Sequence, residues 1–152
     1  MGTPRRTMKT VAVLKDYFEL VGRLARGKNK LEEKQMNFDR ELYFKLLKKY
    51  GEKDPLSKNV SCVPPDEVRK IYKNLVARLE FPREYRLFLY KRHRGPFGWA
   101  DFQTEEIHFN LSYHRTRAAV TETLLHELVH VGFNLNHGKE FCQKMKELAK
   151  KL

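Results

Sequence analysis

Three of the six histidines fall in one short stretch, LLHELVHVGFNLNHGKEF, residues 124–141. His126 and His130 are four residues apart, and Glu127 directly follows the first. On a helix, four residues amount to about 40° of rotation and about 6 Å of rise, so both imidazoles leave the same face. Two ring nitrogens so placed can grip one small cation. Glu127, from the same turn, can reach a water on that cation without being a ligand itself. This is the logic of H-E-x-x-H: two ligands and a general base from one helical segment.

A hydrolytic zinc site needs a third protein ligand and an open fourth position. His137, seven residues beyond His130, is the candidate. On an unbroken helix it would lie roughly 10 Å further along the axis, too far to share the ion. The helix must therefore stop and the chain fold back. NLNHG, residues 134–138, supplies two asparagines and a glycine, residues that end helices and tolerate left-handed backbone. Gly132 is read as loosening the helix end. Glu140 is the rival third ligand, although a carboxylate there also suits the start of a following helix. A bare H-E-x-x-H arises often by chance. The apolar run AAVTETLL ahead of it and the third histidine behind it favour a metal site.

The remaining candidates have plainer readings. His93, in KRHRG, is expected in solvent, and His114 at the surface. His108 is expected on the far side of a strand, and Cys142 on the buried side of the last helix.

The elements that must hold this group follow from periodicity. Residues 9–26 read as a helix, with Leu14, Phe18, Val21 and Ala25 at three- and four-residue steps and Gly27 as the stop. GKNKLEEKQ reads as a polar connection, and Asn37 as the cap of a second helix running to Tyr50. A third helix begins at Pro65 and carries Val68, Ile71, Tyr72, Leu75, Val76 and Leu79 on one stripe until Pro82. Alternation and Gly-Pro punctuation then predict strands over 86–91, 98–102 and 106–111, joined as an antiparallel meander. Helices over 116–133 and 138–152 close the chain. The fold class is α+β, with helices packed over a small, mainly antiparallel three-stranded sheet.

The bulk numbers agree with one domain. The chain has 152 residues, 41% of them hydrophobic, enough for one core. Residues 1–8 are expected to be a flexible basic tail and 9–152 a single domain. Mean hydropathy is −0.68, and no apolar run is long enough for a transmembrane helix. The start lacks the apolar segment of a secretory signal. Two cysteines, Cys62 and Cys142, are too few for a four-cysteine zinc ribbon and fit a reducing, intracellular setting, cytoplasmic or nuclear. The net charge of +12 draws the chain toward polyanions, so DNA or another nucleic acid is an expected neighbour, although no base-reading motif accompanies the charge.

HELVH, a short loop and then HGKEF resembles the SprT-like metallopeptidases, the zincin family that includes bacterial SprT proteins and the catalytic domain of Spartan-type proteases. Upstream, GPFGWADFQTEEIHFNLSYH is similar to the family's hairpin and strand before the active helix, with Ile107 and Asn110 at the strand end. The resemblance is specific from about Pro96 to Leu148. It implies a minimal, gluzincin-like zincin domain, with His126, His130 and His137 as Zn2+ ligands and Glu127 as the base. It also implies an extended protein or peptide substrate pairing with the sheet edge near 98–102. Spartan-type members cleave proteins crosslinked to DNA. Many members carry a zinc ribbon or DNA-binding tail; here targeting would fall to the basic surface. The first 60 or so residues have no counterpart in the motif.

The leading expectation is thus an intracellular zinc endopeptidase acting on DNA-associated or DNA-crosslinked proteins. A metal-dependent endoribonuclease could use a similar three-histidine group, but such enzymes do not place a carboxylate directly after the first histidine. A non-catalytic, nucleic-acid-binding protein with a structural metal would close the fourth position with a residue such as Glu140.

Overall fold

The computed structural model describes residues 30–55 and 60–152. The tail at 1–8 and the helix expected over 9–26 lie outside the described residues. The first described helix, α1, spans Lys30–Tyr50. It starts well before Asn37, because Lys, Leu, Glu and Gln in KLEEKQ are good helix formers and need no cap at Asn37. Its inner face carries Gln35, Asp39, Leu42, Tyr43, Leu46 and Leu47. Gly51, at φ 66°, ends it, with the amides of Gly51 and Glu52 donating back to the carbonyls of Lys48 and Leu47.

Helix α2 spans Pro65–Arg78, with Pro65 in its first turn and Asp66 and Glu67 facing the positive end of the helix dipole. Its stripe of Val68, Ile71, Tyr72, Leu75 and Val76 is buried. The Tyr72 hydroxyl donates to the Tyr85 carbonyl at 2.7 Å and accepts from the Tyr85 amide at 2.8 Å, tying α2 to the start of the sheet.

The three strands are β1 (Arg86–Tyr90), β2 (Gly98–Asp101) and β3 (Glu106–Asn110). Their order is β1-β3-β2, with β3 antiparallel to β2 but parallel to β1. The sheet is mixed, and the meander expected from the sequence is absent. Asn110 supplies the reason. Its side chain accepts from the Arg92 amide and donates to the carbonyls of Arg92 and Pro96. The 91–97 connection is thereby pinned across the end of β3, and β2 lands on β3's far side. The turn after β2 is tight, because Asp101 accepts from the amides of Gln103 and Thr104 at 2.9 and 3.2 Å. Those bonds hold the Asp101 carboxyl below its ordinary range, the Thr104 amide first among them.

A single 3-10 turn, Leu111–Tyr113, leads to α3 (Arg117–Phe133), and α4 (Lys139–Ala149) follows. Helix α3 is the centre of the molecule. It packs against α1, α2, α4 and the inner faces of β2 and β3. Ala118 to Val131 are buried without a break, whereas α4 buries only Phe141, Cys142, Met145, Leu148 and Ala149. The architecture is α+β and zincin-like: four helices about a small three-stranded sheet among the described residues.

Candidate metal centre

A helix buried on all sides needs its end groups satisfied internally. The Thr116 hydroxyl accepts from the Ala119 amide at 3.1 Å. The Glu52 carboxylate accepts from the amides of Arg117 and Ala118 at 2.9 and 3.0 Å, placing negative charge at the positive end of α3. At the other end, Asn134 adopts left-handed backbone at φ 53°, ψ 47°, and its amide and that of Leu135 both donate to the His130 carbonyl. The chain therefore turns back immediately after Phe133.

That reversal brings the three histidines together. His126 Nε2 lies 2.9 Å from His137 Nε2, and His130 Nε2 lies 3.1 Å from the same atom. A tetrahedral zinc with Zn–N bonds of about 2.0–2.1 Å separates its nitrogen ligands by about 3.3 Å. Both separations are close to that value, and the three ligand nitrogens all lie within 4.8 Å of one another, near enough to share one such ion. The tautomers fit too. His130 Nδ1 lies 2.6 Å from the Leu135 carbonyl, which can only accept, so the proton sits on Nδ1 and Nε2 presents its lone pair to the centre. His126 and His130 are buried and His137 is exposed, so the group opens to solvent on the His137 side.

Phe141 is the floor of this group. Its ring is fully buried and lies 4.8, 4.4 and 5.1 Å from the ring centres of His126, His130 and His137. In the sequence Phe141 is only one member of the apolar stripe of the last helix. Its position four residues after His137 was the available signal for a second role.

Glu127 is completely buried on α3. A Cβ added to Gly98 would lie 3.5 Å from Glu127 Cγ and 3.2 Å from Thr123 Cγ2, so the start of β2 passes directly over the glutamate. A side chain there would also press on the His108 carbonyl oxygen at 3.1 Å, so glycine suits this close approach. Strand β2 is also an edge of the sheet: among the described residues its outer side pairs with no strand.

Other candidates fall elsewhere. Glu140 is exposed on the first turn of α4 and stands outside the histidine group. His93 is exposed, and Cys142 is buried on α4. His108 faces the outer side of the sheet, stacked between Trp99 and Phe88 at 3.9 and 5.0 Å. The surface position expected for His114 is wrong. It is fully buried, with its ring nitrogens 2.7 Å from the Asn110 carbonyl and 2.9 Å from the Thr123 hydroxyl. It locks β3 to α3, because the 3-10 turn after Asn110 points it inward. Tyr113 donates its hydroxyl to the His93 carbonyl, and Arg115 donates to the carbonyls of Val60 and Ser112. Both contacts hold loops.

Two buried carboxylates escaped the sequence reading. Asp39 from α1 and Glu122 from α3 have ligand atoms within 4.8 Å of one another and of a His126 ring nitrogen. Glu122 was findable, four residues before His126 on the same helical face.

A helix that presents H-E-x-x-H under an edge strand, with a third histidine returned by a chain reversal, is the arrangement of a zincin-like domain. The SprT-like family model matches residues 67–152, more than half of the chain, and the chain belongs to that family. No curated protein and no solved structure matches it. No helix among the described residues is long and apolar enough to cross a membrane.

Proposed function

We propose that the chain is a zinc-dependent endopeptidase with His126, His130 and His137 as metal ligands and Glu127 as general base. The observation that carries this is the convergence of three Nε2 atoms beside a buried glutamate on the same helix. Zinc bound there would supply Lewis acidity, acidifying a water toward about pH 7 and polarising the scissile carbonyl. Glu127 takes the proton of the attacking water and passes it to the leaving amine. The outer edge of β2 offers its backbone to an extended substrate strand, which would cross the site above Glu127. Glu140, exposed and outside the histidine group, leaves the fourth position to water and substrate.

Proteins lodged on DNA are the proposed substrates. The net charge of +12 favours accumulation on a polyanion, and cleavage of its bound proteins follows from that proximity. The endoribonuclease reading has no role for a carboxylate directly after the first histidine.

The test pairs metal content with cleavage. Wild type and Glu127→Gln should carry equal zinc. Self-cleavage and cleavage of a DNA-bound protein, with and without single-stranded DNA, should fall by about 10²–10⁴ in the variant. Undiminished proteolysis in Glu127→Gln, or a nuclease activity that survives it, would overturn the proposal.

A further inference from the structure

A metal-binding imidazole is oriented from behind, by whatever accepts the hydrogen on its other nitrogen. For His130 that acceptor is the neutral Leu135 carbonyl. His126 has a different environment. Its Nδ1 lies 3.9 Å from Asp39 Oδ2, and both side chains are almost fully buried. Asp39 is itself held in place: Gln35, one turn earlier on α1, donates Nε2 to Asp39 Oδ1 at 2.8 Å. That bond engages Oδ1, and Oδ2 is the oxygen on the His126 side. Glu122 completes the cluster from α3.

We infer that Asp39 is a positioning residue for the metal centre, the anionic acceptor for the Nδ1 hydrogen of His126. The inference rests on the zinc reading of the three histidines. It extends the site to α1, which lies wholly outside the 67–152 segment matched to the family. Closing the gap by about 1 Å gives a charge-assisted hydrogen bond. Such a bond fixes the tautomer with Nε2 toward the ion, sets the ring's rotation and makes the nitrogen a stronger donor to the metal. A carboxylate in the apolar stripe of α1 is costly to bury without such a task. Leu42 and Leu46 occupy the same face one and two turns on.

Zinc affinity by chelator competition tests this on the full chain. Asp39→Asn keeps the shape and removes the charge, and its affinity should fall about 10–100-fold. A proton NMR spectrum of the zinc-loaded protein supplies a second readout with an internal control. The downfield Nδ1 hydrogen of His126 should shift upfield in Asp39→Asn, while that of His130 stays. If Asp39→Asn does not fold, Gln35→Leu frees the carboxylate from its holder and should weaken zinc binding severalfold. Unchanged affinity together with an unmoved His126 resonance, in whichever variant folds, overturns the inference. Failure of wild type to bind zinc would instead overturn the reading beneath it.

Discussion

Helices α3 and α4 are neighbours at the histidine group, α3 carrying two of its ligands and α4 the Phe141 ring beneath it, yet they are built on opposite plans. Helix α4 is amphipathic: Phe141, Met145 and Leu148 are buried, while Gln143, Lys146 and Glu147 are exposed. Helix α3 has no solvent face between Ala118 and Val131. An amphipathic helix can dock, shift and redock. A helix enclosed on every side has one position, and what it carries is held to that position. The putting of both buried ligands and the base on α3, and the exposed His137 on the loop before α4, gives a rigid half and an adjustable half to one site. Binding constellations need such rigidity in the groups that set geometry.

If α3 is fixed by burial all round, truncation on any of its sides should be expensive. Leu125→Ala and Leu128→Ala, both at 0% exposure, should each cost about 3–5 kcal/mol in denaturant unfolding. Gln143→Ala on the outer face of α4 should stay within about 0.5 kcal/mol. Equal costs on the two helices would erase the distinction. The metal should bridge the two halves. At a free zinc concentration 100-fold above Kd it adds about 2.7 kcal/mol of stability, which chelation removes. His137→Ala should abolish that difference while changing the apo protein's midpoint little, because His137 is exposed.

The same contrast explains what could be read from the sequence. Stripes on α2 and α4 were legible, because a half-buried helix writes its period into its residues. The chemistry on α3 was legible for another reason: H-E-x-x-H is a local constraint of helical spacing. What was not legible is non-local. The parallel pairing of β1 with β3 depends on Asn110 holding the 91–97 loop, and nothing within β1 encodes it. Asp39 is separated from His126 by most of the chain. Its only signature is a polar residue in phase with Leu42 and Leu46. The burial of His114 was missed because a single histidine before a helix carries no periodicity at all.

The junction of the two plans is the reversal after Phe133. Asn134 sits there with left-handed backbone, a conformation that β-branched residues tolerate poorly. Asn134→Val should cost about 1–2 kcal/mol and weaken zinc binding by displacing His137. Asn134→Gly should do neither. If the valine variant binds zinc as wild type does, the loop half is more adjustable than its role as a ligand carrier permits.

The smallest effect concerns Gly132, whose place two residues before that reversal suggested a loosened helix end. The structure gives it another task. Helix α3 continues through it to Phe133, and a Cβ at position 132 would lie 2.6 Å from Cε1 of the buried Phe81 ring. The glycine is there so that the segment after α2 can press against α3. Gly132→Ala therefore sets two effects against each other. Alanine gains about 1 kcal/mol of helix propensity. Overpacking against Phe81 costs about 1–3 kcal/mol, because a Cβ at 2.6 Å requires that buried ring to shift. The net should be a loss of about 1 kcal/mol, read as a lower midpoint in urea. Pairing the change with Phe81→Leu should recover part of it. A stabilised Gly132→Ala would mean that Phe81 yields easily, and that the enclosure of α3 is looser at its C-terminal end than along the turns that carry the ligands.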